Sequence, residues 1–384
     1  MIDTVVIMLD YGHYYITDPQ RFSPALMVRD EKNIPFTKHV NNPTKAQKEQ
    51  GYYPRLTLHH RSRGAKFQQP LLIEFSAPKL LYGNNLDELN EDDFDAVVAT
   101  IKRRCDEMGV KIWGGSIDNA HVSTIHFGKN IELQGGYTST LAIQEIAKLH
   151  GSTQQDHNKA DFRNEGHAYQ IYTKSRSVVL YDKMADINKP KSRAIDKDKI
   201  VAQMSLFDVL KEQNKPPEIL RMEVRYTNRR VLKKELAKLG INTELIFKQL
   251  FKKNIAQKVV QAQWQQIYDP RVRFTLSMER KPQAVLKELL IVHPNMTPKR
   301  AIELIGMYAL ARDDAGLLGI RTAIQSLRPK TNWHHFKKRL EAFQDPPFPL
   351  TVHGFVDDIE SQIKSFKSLR YSVADNSDVR DNQL

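Results

Sequence analysis

Alternation constrains this chain more than any other feature. From Met1 to about Arg230, β-like runs recur near residues 2-9, 54-60, 67-76, 117-128, 167-173, 176-183 and 219-227, and several alternate apolar with polar residues. A two-residue period marks strands that turn one face to a core and the other to solvent. Helical runs separate some of these strands. Asp92 to Gly109 starts with acids, carries Phe94, Val97, Val98, Ile101 and Met108 on an apolar stripe, and ends at a glycine suited to a C-cap. Thr138 to Leu149 and Lys199 to Lys211 are further helical candidates. Strands spaced this irregularly, joined partly by hairpins and partly by helices, specify an α+β fold with a mostly antiparallel sheet and flanking helices. Lys32 to Gly51 and Asp186 to Asp198, rich in Lys, Pro and Asn, are expected as surface loops. The second also suits a clamp on a nucleic-acid strand.

After Arg230 the period becomes helical, over Val231 to Leu239, Thr243 to Lys252, Pro282 to His293, Pro298 to Ala311, Leu317 to Leu327 and Asn332 to Phe343. Thr297 is placed as an N-cap with Pro298 at the first helical position. Lys330, Lys337 and Lys338, with Arg321, Arg339 and Trp333, cluster around a tight turn whose outline is that of a helix-turn-helix, and the three lysines are expected DNA contacts. The chain therefore divides into residues 1-230, a helical DNA-binding region 231-345, and an extension 346-384 ending in a polar tail, Ser372 to Leu384, expected to be disordered.

Charge narrows the partner. Among 384 residues, 58 Lys and Arg stand against 45 Asp and Glu, a net charge of +13 that fits a polyanion such as nucleic acid better than a small metabolite. The single cysteine, Cys105, has no disulfide partner in the chain. No apolar run approaches the roughly 18 residues that span a bilayer, and the first apolar run lacks a basic n-region and meets Asp10 at once. The expected location is the cytoplasm, with no membrane partner.

Four strand-like runs carry groups with chemistry. In Arg176 to Lys183, alternation places Tyr181 and Lys183 on one strand face, about 6.5 to 7 Å apart, a phenol beside a cation able to attack a phosphodiester. Glu74 and Ser76 share one face of Leu72 to Ser76. Thr124 and His126 share one face of Val122 to Lys129, and Arg221, Glu223 and Arg225 segregate from Met222 and Val224. Taken together they suit metal-assisted transesterification, with His126, Glu223 and Glu74 around Mg²⁺ or Mn²⁺, and with Lys183 stabilising charge in the transition state. Arg176, Arg221 and Arg225 are expected on the DNA backbone. A phenol of ordinary pKa near 10 is otherwise a poor nucleophile at neutral pH. No Walker A loop, dinucleotide-binding glycine pattern, cysteine zinc framework or nucleophile-elbow serine is present.

Met1-Ile2-Asp3, the run from Leu72 to Asn85, the strand Val178 to Lys183, Leu220 to Arg225 before a helix, Met307 to Leu310 and Thr331 to Phe336 occur in an order that resembles the replication initiation proteins of filamentous bacteriophages, the gene II and gene X family. The likeness runs over most of residues 1-345. It implies a rolling-circle initiator nuclease-like fold over 1-230 and a site-specific single-strand endonuclease and strand transferase. Such an enzyme nicks supercoiled double-stranded origin DNA, keeps the 5′ phosphate on Tyr181, and leaves a 3′ hydroxyl for a host polymerase, with a host helicase opening the duplex and single-stranded DNA as a further ligand. The family's tyrosine falls on Tyr181, its basic residue on Lys183 and its acidic strand position on Glu223. Where related initiators show Arg-hydrophobic-Asp this chain reads Thr124-Ile125-His126, and Tyr172 is the rival nucleophile. A plasmid initiator or relaxase-like enzyme, a non-catalytic DNA-binding regulator and a basic structural or RNA-binding protein are the alternative readings.

Overall fold

The first strand, β1 (Ile2–Leu9), lies inside a sheet, paired antiparallel on one side to β7 (Leu71–Ser76) and on the other to β9 (His121–Glu132). The structure is a computed structural model and describes residues 1-30, 33-63, 66-149, 160-163, 165-188, 217-268, 276, 281-313, 316-327 and 352-371. The short strand β2 (Tyr14–Ile16) pairs with β8 (Val110–Ile112) outside the main sheet. The main sheet is completed by β3 (Ala25–Arg29), β4 (Pro35–Asn41), β5 (Arg55–Arg63), β6 (Lys66–Gln68), β10 (Ala160–Arg163), β11 (Ala168–Tyr172), β12 (Arg176–Asp182) and β13 (Ile219–Tyr226). Among the described residues it has eleven strands, in the order β10-β11-β12-β13-β9-β1-β7-β5-β4-β3 with β6 beside β5, and every pairing is antiparallel. The α+β architecture with an antiparallel sheet is as the alternation specifies.

One face of the sheet is apolar. Val5 and Ile7, Ile73 and Phe75, Ile125 and Phe127, Met222 and Val224, and Val178 and Leu180 are all buried and continuous with one hydrophobic cluster. Helices supply the other half of that cluster: Val97 and Ile101 from Phe94–Glu107, Ile143 from Ser139–Ala147, Val259 and Val260 from Lys253–Ile267, and Ile359 and Ile363 from Phe355–Ser365. This last helix brings the far end of the chain back to the sheet, where Gln362 forks onto the backbone N–H and C=O of Glu132 at 3.0 and 2.7 Å. No described helix is long and apolar enough to cross a membrane.

Several boundaries follow from local chemistry. Helix Phe94–Glu107 ends where Gly109 takes φ +78°, and a Cβ there would meet Asp18 Cβ at 2.8 Å, so the glycine serves both the left-handed turn and the close approach. Thr297 caps helix Pro298–Arg312 by accepting the Arg300 N–H, as its sequence position implies. The expected loop Lys32 to Gly51 is instead β4 followed by the helix Lys45–Gln50, which opens with a capping box between Thr44 and Gln47. Its Lys and Asn content hid Phe36 and Val40, the buried apolar residues of β4. Of Thr243 to Lys252 only Phe247–Leu250 is helical, and helix Lys253–Ile267 follows it instead. The expectations for Lys199 to Lys211, Lys189 to Asp198, Asn332 to Phe343 and the terminal tail lie outside the described residues.

Candidate functional site

The face opposite the apolar core carries the chemistry, and strand register assembles it. Tyr181 on β12 stands opposite Arg221 on β13, Val179 opposite Glu223, and Ser177 opposite Arg225. Across the next pairing, Arg221 faces Asn130 on β9, Glu223 faces Gly128 and Arg225 faces His126. Residues directly opposite in antiparallel pairs share a face, so three strands converge these polar groups.

A fourth strand adds an acid through an irregularity. Ile2 pairs with Phe127 but Val5 with Ile125, so Asp3 and Thr4 together stand opposite His126. Such a bulge re-aims side chains. Here it turns Asp3 to the polar face, where it accepts from Arg221 Nη2 at 2.8 Å and from Ser76 Oγ at 3.1 Å. Arg221 also donates to Asn130 Oδ1 at 2.8 Å. The guanidinium lies so close over β9 that a Cβ on Gly128 would meet Nη2 at 2.9 Å; only glycine leaves that space.

Glu223 is the hub. Its Oε1 accepts from His126 Nδ1 at 2.9 Å and from Arg225 Nε at 3.1 Å; its Oε2 accepts from Arg225 Nη2 at 3.0 Å and from the Tyr181 hydroxyl at 3.4 Å. Burial opposes its charge, yet Arg225, His126 and Arg221 hold the carboxyl well below the usual carboxylate range. Asp3 is likewise held low against burial, chiefly by Arg221. Burial pushes the Tyr181 phenol well above its ordinary value, with Arg221 opposing and Glu223 and Asp3 reinforcing. The resting hydroxyl is therefore protonated and donates to Glu223. The Arg225 side chain is 34% exposed and His126 16%, against 3% for Glu223, so those two form the rim of the cluster.

The structure corrects the expected position of Lys183. β12 ends at Asp182, and Lys183 opens the helix Lys183–Asn188 instead of continuing the strand. Its ammonium still lies 5.6 Å from the Tyr181 ring centroid. It is fully buried, and among the described residues Nζ has no hydrogen-bond partner. Burial, then Arg221, lower its pKa to about 7, against the pull of Asp3, Asp186 and Glu223.

Other expected residues fall elsewhere. Arg176 lies on the core face of β12 and pairs with Glu235 of helix Arg229–Lys238 at 2.9 Å, both side chains about nine-tenths buried; the pair ties the helix to the sheet. Glu74, on β7, points to Arg55 at 3.9 Å on an exposed stretch, and Val6 of β1 and Thr124 of β9 intervene between it and β13. Tyr172 shares the polar face, opposite Ser177, with the Arg163 guanidinium 5.6 Å from its ring; two strand spacings, about 10 Å, separate it from Arg225. Lys330, Lys337 and Lys338 lie outside the described residues.

Among the described residues no three His, Cys, Asp or Glu side chains converge to hold a metal ion. Both oxygens of Glu223 are already engaged by Arg225, with His126 and Tyr181 completing them, and His126 spends Nδ1 on the same carboxylate. A divalent ion prefers free oxygen donors; the donors in this arrangement do not fit Mg²⁺ or Mn²⁺. What the cluster offers is a tyrosine hydroxyl, a carboxylate acceptor, and three bases, Arg221, Arg225 and Lys183, against two acids. Asp3, Gly128 and Asn130 were not singled out as site residues from the sequence. The signal for Asp3 was an acid inside an apolar strand, a group that must be paired when buried. Compared with known proteins, the chain matches no family model, no curated protein and no solved structure.

Proposed function

We propose that the chain is a rolling-circle DNA replication initiator that nicks one strand of supercoiled origin DNA and later rejoins it, as the resemblance to the filamentous-phage gene II and gene X proteins implies. The observation that carries this reading is the Tyr181 hydroxyl hydrogen-bonded to Glu223 inside a cluster of Arg221, Arg225 and Lys183. In the proposed step, Tyr181 Oη bonds to phosphorus, its proton passes to Glu223 Oε2, and the bond from phosphorus to the 3′ oxygen breaks. The departing 3′ oxygen takes a proton from solvent water to become a hydroxyl, and the 5′ phosphate stays on Tyr181. Because the phenol is protonated at rest, deprotonation has to accompany attack, and Glu223 Oε2 is the acceptor to which the hydroxyl already donates. Arg225, at the exposed rim, meets the phosphate first, and the cationic cluster offsets charge that develops on the non-bridging oxygens.

The test incubates the full chain with supercoiled origin DNA, with and without Mg²⁺ or Mn²⁺, and reads nicked circles and a covalent protein-DNA adduct. Tyr181→Phe is expected to abolish both together. A Tyr181→Phe chain that still nicks and couples rejects the assignment, and loss through Tyr172→Phe alone moves the nucleophile to the neighbouring strand.

A further inference from the structure

Aromatic rings cluster in the open at the small β2-β8 sheet. Tyr11 is 76% exposed, Tyr15 59% and Trp113 52%, an unusual outlay of large apolar surface on one corner. Register places Tyr15 and Trp113, and Tyr11 stands in the turn before β2. Tyr15 stands opposite Lys111, and the Trp113 N–H donates to the His13 carbonyl at 3.1 Å, so Trp113 lies across from His13. By the two-residue period, His13, Tyr15, Lys111 and Trp113 share the outer face, all exposed. The inner face is anchored: Tyr14 is buried and donates to the Gln69 carbonyl at 2.5 Å, and Ile112 packs on the core. Among the described residues no other ring stacks on Tyr11, Tyr15 or Trp113. That outer face carries Lys111 and no carboxylate; Asp10 sits outside it, at the turn leading into β2.

We infer that this face is a stacking platform for the unpaired bases of a single-stranded nucleic acid. Every base has a π-face that stacks on tyrosine or tryptophan whatever its identity, and the backbone between bases needs a cation, here Lys111. The platform is held by the sheet beneath it, so its rings cost little to order. A chain of net charge +13 favours a polyanion over a neutral apolar partner at such a face. The platform lies past the C-terminal end of β1, and Asp3 near its start is six residues from Leu9, about 20 Å along the strand. A strand held here is thus distinct from a phosphodiester at Tyr181. The inference rests on the nucleic-acid part of the proposed function and not on the tyrosine chemistry.

The experiment measures binding of a labelled oligodeoxythymidylate, an oligouridylate and a short duplex by fluorescence anisotropy, with adduct formation on origin DNA read in parallel. Trp113→Ala and Tyr15→Ala are each expected to weaken single-strand binding on the order of tenfold, leaving duplex affinity and the thermal midpoint unchanged. Trp113→Phe and Tyr15→Phe, which keep a ring, should restore most of it. The two oligonucleotides separate DNA from RNA as the ligand. Wild-type single-strand affinity in the double alanine variant overturns the platform, as does a wild-type chain that binds neither oligonucleotide. A chain that forms the adduct without binding oligonucleotide through Trp113 keeps the Tyr181 reading alone, and the reverse result keeps the platform alone.

Discussion

Arg221 and Lys183 show how two buried cations on one face take opposite forms. Arg221 is engaged through Nη2 by Asp3 and through Nη1 by Asn130, and its charge is held against burial. Its seat depends on Gly128. In Gly128→Ala the new methyl would press on a guanidinium that Asp3 and Asn130 pin in place, so the variant should lose about 1 to 3 kcal/mol and melt a few degrees lower; an unchanged melting temperature would show that the guanidinium can slide. Lys183 has no such partner, and its folded pKa of about 7 lies below the ordinary 10.5. Between those values the unfolded chain holds a proton that the folded chain lacks, so stability rises with pH across that window. Below pH 7 both states are protonated and the buried ammonium costs most. Lys183→Met should therefore stabilise the chain at pH 6, by a few kcal/mol on the order set by the shift, and the gain should fade toward pH 10. Urea melts giving the same gain at both pH values would show that Lys183 is not buried as a strained cation.

Elements are joined by polar contacts as well as by the core. The Arg176–Glu235 pair fastens helix Arg229–Lys238 to β12 from the apolar side. Removing Glu235 leaves a largely buried guanidinium uncompensated, so Glu235→Ala should destabilise by about 3 to 5 kcal/mol, whereas Arg176→Met leaves Glu235 still paired with Lys238 at 2.6 Å and should cost less. Comparing the two by chemical denaturation separates a structural role for Arg176 from a DNA-binding one, since neither variant should alter salt-dependent DNA affinity. At helix Pro298–Arg312, Thr297→Ala removes the one capping acceptor for Arg300 N–H and should cost about 1 kcal/mol, read as a small drop in the denaturation midpoint.

At the scale of the whole molecule, one core joins both ends of the chain. Phe355, Val356, Ile359 and Ile363 are buried in the same cluster as β1 and β9, and residues beyond the helix strap the loop before Phe94: Leu369 O accepts from Glu88 N at 2.8 Å and Arg370 pairs with Asp93 at 2.8 Å. Ending the chain at residue 351 would expose apolar surface worth about 1.5 to 3 kcal/mol per buried side chain. The shortened chain should melt well below the full one or precipitate; equal melting temperatures would show that the C-terminal helix is dispensable. Sequence patterning foresaw much of the sheet, because half-buried strands announce themselves by alternation, and the polar faces of Thr124 to His126 and Arg221 to Arg225 fall where that alternation puts them. It passed over helix Lys253–Ile267, whose apolar Ile255, Ala256, Val259, Val260 and Ile267 follow a helical period among polar glutamines, and over the short strands β2 and β8, which are too brief to show a period.

Residue order alone determined which side chains share a strand face, where Thr297 and Gly109 bound their helices, and that the chain carries an excess of positive charge. Strand order and register are long-range, so only the tertiary structure decided that Tyr181 meets Glu223, that a bulge in β1 turns Asp3 onto Arg221, and that Arg176 pairs with Glu235. The same holds for Lys183. A two-residue spacing predicts a shared strand face, but the strand stops at Asp182, and the cation reaches the tyrosine from the first turn of a helix, because tertiary packing sets where an element ends.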